Sequence, residues 1–401
     1  MEAVVAGRSI SACVLQSGVV MAWGQEDLVG GACGFHGARH SHATRPATTI
    51  ERATNSNASL ERHLPRPLHG LVRFGRVRIV ACGARFVVAV MAASGRVVSW
   101  GENRVGQLGR PICPCAPPRA LHGPEVVDFA DGGVVVEISC GFEFTAVVTD
   151  RGSVLTWGCN RCGQLGRSKV AEGFSSSPSG FCATPAPVDA PCQDHFGRVG
   201  AVVCGDHHLV AIAAGRVFTC GAAEFGRLGL GCGSENAYVL NYVPIAGQAQ
   251  RIFAGSACTF VLTIQDATCS DDGDEAAKGS MLWAFGYNGA GNLGLGDIKN
   301  RSEPQLVPLP SASLLEDLAV GEEHVVCVLS FHGARRVCAW GSSSEGRLGP
   351  LHNPEARCGT MDFIPSPILI GALMEDLEEP PCRSIEVSSS GSHSLALARR
   401  E

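Results

Sequence analysis

The residues best able to do chemistry in this chain are thiols, imidazoles and clustered carboxylates. Cys159 and Cys162 have the C-x-x-C spacing that can bring two thiols to one zinc ion or into one redox disulfide. His208, His324 and His393 could act as bases or metal ligands if a fold gathered them. Cys33, His36, His40 and His42 form a second group of soft ligands, and Asp271, Asp272, Asp274 and Glu275 offer carboxylates of the kind calcium takes. Each group needs a scaffold to position it, and the scaffold is repetitive.

The stretch Ser153–Gly166, SVLTWGCNRCGQLG, runs a short β-branched segment into Trp157-Gly158, turns through polar residues and closes on Gly163-Gln164-Leu165-Gly166. Related copies end at Gly109 (VVSWGENRVGQLG), Gly229 (VFTCGAAEFGRLG), Gly294 (MLWAFGYNGAGNLG) and Gly349 (VCAWGSSSEGRLG), and a worn copy surrounds Trp23-Gly24. The Gly of that dipeptide falls at 24, 101, 158, 221, 286 and 341, so the repeat is irregular and carries insertions. A second half-unit precedes each copy: a Gly, two variable residues, a core residue, then an alternating apolar strand. Examples are CGARFVVAVMAASG (Cys82–Gly95), CGFEFTAVVTDRG (Cys140–Gly152), CGDHHLVAIAAG (Cys204–Gly215), AGSACTFVLTI (Ala254–Ile264) and VGEEHVVCVLS (Val320–Ser330). AGRSISACVLQSG (Ala6–Gly18) opens the chain and SSGSHSLALA (Ser389–Ala398) closes it, giving seven of these halves against six Trp-Gly halves.

Each unit predicts four strands in a meander. One such sheet cannot bury both its faces, but sheets packed radially around an axis can. The expected fold is therefore all-β, a β-propeller of four-stranded blades. Seven blades are expected, the two termini meeting in a closing blade that can be incomplete; six close if the first Trp-Gly half completes the last half-unit instead. The expected organisation is a single domain over 1–401, with insertions at 31–66, 167–187 and 266–280 and the repeat resuming at Val72–Val80. The Leu of each Gln/Arg-Leu-Gly is expected between adjacent blades. A solenoid would need shorter, more uniform repeats.

Alignment of the copies decides most of the chemistry. His208, His324 and His393 share a column with Ile10, Phe86, Phe144 and Cys258, so the column is a packing position, with the His ring N–H expected to cap a turn carbonyl. Cys159 and Cys162 align with Glu102/Val105, Ala222/Phe225 and Ser342/Glu345, which makes them turn residues without a second C-x-x-C. The acidic run lacks the ligand spacing of an EF-hand and suits a solvated hairpin tip. The first Cys/His cluster falls in an insertion without a usable period. Trp23, Trp100, Trp157 and Trp340 sit in the repeat column and read as core. No Walker loop, no G-x-S-x-G and no Rossmann fingerprint occurs in strand–helix context. The expectation is no catalytic residue, no metal and no cofactor.

Net charge is −6 and Lys is confined to Lys169, Lys278 and Lys299, so direct DNA binding through a basic stripe is not expected. No apolar run approaches the length of a membrane span, and residues 1–24 already read as repeat, not as a signal peptide. Many of the 19 Cys occupy columns that other copies fill with Ala, Val, Trp or Ser, which points to reduced, buried thiols in the cytosol or nucleus.

The pattern G-x-V-x-x-W-G-x-N-x-x-G-Q-L-G, following C-G-x-x-H-[ST]-x-[AV]-[LV], resembles the repeat of the regulator-of-chromosome-condensation family over nearly the whole chain outside the insertions. The resemblance implies a seven-bladed propeller. It implies functions that range from nucleotide exchange on the small GTPase Ran to scaffolding and ubiquitin-ligase assembly, and a plant photoreceptor with a surface Trp cluster that this chain lacks. It leaves enzymatic status open, since exchange needs no covalent chemistry. In a meander, the loops after strands one and three share one face of the disc. The insertion at 167–187 is expected on that face and the one at 266–280 on the other. Arg85, Glu143, Asp206, His207, Glu322 and Glu323, just before the core column, would ring the first face and are the candidate partner-binding residues. The expected partner is a protein, with a small GTPase as the leading class, bound by a monomer.

Overall fold

The computed structural model describes residues 3–6, 10–15, 17–24, 66–113, 115, 120–129, 132–168, 180–189, 197–264, 280–310, 313–331, 334–344, 347–348, 363–369, 384–390 and 393–399. These residues form seven sheets, six of four strands and one of two. In chain order they are β1–β4 (Ala3–Ala6, Ile10–Val14, Val20–Gly24, Arg66–Pro67), β5–β8 (Val77–Cys82, Phe86–Met91, Val97–Glu102, Leu121–Val127) and β9–β12 (Val135–Cys140, Phe144–Thr149, Val154–Cys159, Phe181–Pro187). Then come β13–β16 (Val199–Cys204, His208–Ala213, Arg216–Gly221, Ala237–Val243), β17–β20 (Gln248–Ala254, Cys258–Ile264, Ser280–Gly286, Arg301–Leu306) and β21–β24 (Ser313–Val320, His324–Phe331, Ala334–Ser342, Phe363–Leu369). The last sheet is β25–β26 (Ser384–Ser390, His393–Arg399).

All pairings within a sheet are antiparallel neighbours in sequence. The first strands β1, β5, β9, β13, β17, β21 and β25 each lie against the next, and β25 lies against β1, so the sheets close a ring. The chain is a β-propeller.

Composition follows distance from solvent. The second strands β6 (FVVAVM), β10 (FTAVVT) and β14 (HLVAIA) are buried at every residue, because each blade is covered on both faces by its neighbours. The outer strand β20 (RSEPQL) has no buried residue. Both register shifts recur: one in the first strand, as at Val199/Ala201, and one at the Trp-Gly column, as at Thr156/Gly158. Such bulges increase local twist, which radial packing of sheets requires.

Adjacent blades are stitched by the repeat residues themselves. Leu108 of one blade lies in a core with Val135, Val147, Leu155 and Trp157 of the next, as the sequence predicts. The Trp157 Nε1–H donates to the Gln107 carbonyl at 2.9 Å, and the Trp340 Nε1–H to the Asn292 carbonyl at 2.9 Å. The Gly of Trp-Gly is required by a close approach: Gly158 has φ +106°, and a Cβ there would lie 2.7 Å from the Phe144 Cα and against the Glu143 carbonyl.

Four expectations need correction. The stretch 167–187 is not all loop, because Phe181–Pro187 is the fourth strand of its blade. Pro185 and Pro187 fit there because an outermost strand needs no ladder donor on its open side. The first insertion ends earlier than expected, since Arg66–Pro67 pairs with β3, and residues 69–74 form a 3-10 turn before the repeat resumes at Val77. The termini do not share one blade: β1 belongs to its own four-stranded sheet, beside the two-stranded β25–β26. His208, finally, does not cap a turn carbonyl in the expected way, as its geometry below shows. Most of the insertions, with Cys33, His36, His40, His42 and the acidic run, lie outside the described residues.

A candidate protein-binding face

The loops after the first strands meet around the axis and are joined by backbone hydrogen bonds. The Ala84 N–H donates to the Phe142 carbonyl (3.2 Å), the Phe142 N–H to the Asp206 carbonyl (3.1 Å) and the Asp206 N–H to the Ser256 carbonyl (3.2 Å). Glu322 holds the equivalent position one blade further on. One residue later come Arg85, Glu143, His207, Ala257 and Glu323. Their carbonyls accept the N–H groups of Glu102, Cys159, Ala222, Tyr287 and Ser342, which follow the Trp-Gly Gly or its equivalent. The structure therefore gathers all six sequence-predicted residues on one face, in two concentric rows: Asp206 and Glu322 inside, Arg85, Glu143, His207 and Glu323 outside.

Three of the side chains are engaged with the ends of the third strands or the loops that follow them. Arg85 pairs with Glu102 at 3.2 Å, Arg104 with Glu143, and Arg347 with Glu323 at 3.1 Å. The Glu143 carboxylate raises the Arg104 guanidinium further above its ordinary value. Asp206 accepts from the Ser256 hydroxyl at 2.6 Å. The His207 ring stands 5.7 Å from the Phe142 ring, and burial lowers its pKa against the opposing pull of Asp206.

The third-strand loops have their own internal order. The Leu108, Leu165 and Leu293 N–H groups donate to the side-chain oxygens of Asn103, Asn160 and Asn288 at 2.8–3.0 Å. In the fourth sheet the Asn column holds Ala223, and the loop becomes a 3-10 turn, Glu224–Gly226, with Phe225 at φ +62°. Phe225 is 48% exposed and stands 5.3 Å from the Tyr287 ring. Sequence reasoning missed this pair. The available signal was a large apolar residue in a loop column that elsewhere holds Val105, Cys162, Ala290 and Glu345.

A hydroxyl–imidazole contact does occur: the His208 Nε2 lies 2.9 Å from the Thr259 hydroxyl of the next blade. Both residues are fully buried, and burial drives the His208 pKa down to about 3, so the imidazole is a neutral cross-blade tie instead of an accessible base. An axial cavity of about 280 Å³ is lined by Cys82, Cys140, Cys204 and Ser139, with Asp206 and Glu322 among its other walls. Burial pushes the Cys82 and Cys204 thiols up to about 12 and the Cys140 thiol well above its ordinary value, so they remain protonated at neutral pH and are poor nucleophiles and ligands. Cys159 is buried, and burial raises the pKa values of both Cys159 and Cys162. Among the described residues, no group of three or more His, Cys, Asp or Glu is placed to hold a metal ion.

The architecture and the repeat signature both have known counterparts. The chain is 30% identical to the ultraviolet-B receptor UVR8 of Arabidopsis thaliana over 278 residues, which is 68% of this chain and 55% of that protein. It is 25% identical to the protein RCC2 homolog of Xenopus laevis over 295 residues, 72% of this chain and 46% of that protein. It thus spans about half the length of these two relatives. Among solved structures it is similar to human WBSCR16 (TM-score 0.70, 19% identity, covering 99% of this chain and 87% of that one). It is also similar to Saccharomyces cerevisiae Prp20p, whose binding to Gsp1p and histones has been described (TM-score 0.67, 17% identity, covering 100% and 82%). A family model, that of the RCC1-like domain, matches residues 52–401. With seven sheets in a closed ring, each four-stranded one built on the same meander, this chain belongs to the RCC1-like domain family.

Proposed function

We propose that the chain is a protein-interaction propeller, a small-GTPase regulator or assembly scaffold, that docks a protein partner through the face carrying Asp206, His207, Glu322 and Glu323. The observation that carries this reading is the convergence of both loop sets on one face, on a hydrogen-bonded collar, with the reactive-looking His208 fully buried below it. Such a face offers shape and charge in place of a nucleophile. The described cysteines form no disulfide, which suits a reducing compartment, cytosol or nucleus. The test is a pull-down with the full chain and a D206N/E322Q/E323Q variant: the wild-type protein retains a defined partner and the variant loses it. Equal retention by both would remove the face from the reading.

A second reading, guanine-nucleotide exchange on a Ran-like GTPase, draws on family membership and on the Gsp1p binding described for Prp20p. Exchange requires tighter binding to the nucleotide-free GTPase than to the loaded one. Release of labelled GDP from Ran-like and other small GTPases tests it directly. No acceleration at micromolar chain ends this reading and leaves the scaffold reading in place.

A further inference from the structure

Phe225 is held where a bulky residue is disfavoured. Only Ala214 and Phe225 among the described non-glycine residues have positive φ, and Val105, Cys162 and Ala290 of the same loop column do not. Left-handed backbone is costly for a residue with a Cβ and persists where the surroundings over-determine it. Here they do. The Arg227 Nε–H donates to the Glu224 carbonyl at 3.0 Å, and the Ala223 N–H donates to the Asn236 side-chain oxygen at 3.0 Å. The Arg227 guanidinium stands 5.5 Å from the Phe225 ring, and the Tyr287 ring meets it edge-on. The ring is thereby fixed with about half its surface toward solvent, whereas Val105 in the same column is buried.

An exposed carboxylate stands beside it. Glu224 is adjacent with its side chain 74% exposed, Glu323 lies near Tyr287, and Asp206 lies near Arg227. Of the basic groups of this sector, Arg227 and Arg347 are 4% and 13% exposed and paired with Glu224 and Glu323, and Arg301, whose backbone abuts Gly226, is 24% exposed and paired with Asp297. Each of these cations is held by a carboxylate, while the Glu224 side chain faces solvent beside a rigid aromatic of the kind that anchors protein interfaces.

We propose that Phe225 and Tyr287 form the anchor point for a basic protein segment that presents one aliphatic side chain between its Arg or Lys residues. This inference rests on the protein-docking reading above and names the class of segment that the same face receives. The aliphatic group covers the exposed half of the Phe225 ring while the cations lie over Glu224, Glu323 and Asp206.

The test uses the full chain and three fluorescein-labelled peptides: alternating Arg and Gly with a central Leu, the same peptide with Ser for Leu, and the same with Glu for Arg. Binding is read by fluorescence anisotropy at about 50 and about 200 mM salt. The Leu peptide binds about tenfold more tightly than the Ser peptide, and the Glu peptide does not bind. The F225G variant loses that preference while its melting temperature stays the same or rises, since Gly accepts the left-handed backbone. That separates lost anchoring from lost folding. E224Q weakens binding about twofold and flattens the salt dependence. Equal binding of the Leu peptide by wild type and F225G, or of the Arg and Glu peptides by wild type, overturns the proposal. If it falls while D206N/E322Q/E323Q still abolishes capture of a partner, the docking reading survives; if that variant also changes nothing, both fall.

Discussion

Glu137 shows how burial in this ring sets charge at single residues. It sits in β9 with one carboxylate oxygen 3.2 Å from the Val202 N–H of the next blade, and burial pushes its pKa up to about 7 despite that hydrogen bond. Because the folded value is raised, the stabilising contribution is whole below the ordinary carboxylate range and is lost as pH rises through about 7. A shift of this size corresponds to at most about 3 kcal/mol. E137Q is expected to melt higher than wild type at pH 8 and to match it near pH 4, as read by thermal denaturation across that range. His208 gives the complementary case. Its column accepts Phe86 and Phe144, so H208F is expected to cost less than about 2 kcal/mol in denaturant unfolding. A much larger loss would mean that the tie to Thr259 matters more than the volume of the ring.

At the scale of the strand and its loop, the Trp-Gly unit sets both the spacing within a blade and the seam between blades. G158A places a methyl group against the Glu143 carbonyl and forces an L side chain to φ +106°, so a loss of about 3 kcal/mol or more is expected in urea unfolding. W157A removes a fully buried ring and its bond to Gln107, at an expected cost of about 3–5 kcal/mol. These positions were legible in the sequence because each is a column sampled several times. Gly101, Gly158, Gly221, Gly286 and Gly341 all point to the same close approach. The loop at Ala223–Gly226 was not legible, because its conformation follows from a missing Asn whose role appears only once Asn103, Asn160 and Asn288 are seen binding the Leu N–H groups. Phe181–Pro187 was misread for a related reason: its prolines and neighbouring serines signal a turn, and only the open edge of the sheet excuses them.

For the whole molecule, closure depends on β25–β26, which bridge the first strands β21 and β1. Truncation after Pro381 is expected to leave the inner faces of two blades without a neighbour and to abolish cooperative melting, as calorimetry would show. The ring and the gathering of both loop sets on one face were legible because an antiparallel meander fixes which loops lie together. The ion pairs that hold Glu143 and Glu323 were not, since Arg104 reaches Glu143 from the neighbouring blade and Arg347 reaches Glu323 only once the loops after β21 and β23 are folded together. The collar has one more property. Its amides point around the axis, from Ala84 to Phe142 to Asp206 to Ser256, and not along it. Bond dipoles that circulate in this way largely cancel along the bore, unlike those at the end of a helix. The charge at the mouth is therefore set largely by side chains such as Asp206 and Glu322, and a few loop substitutions could reverse its sign without disturbing the frame beneath.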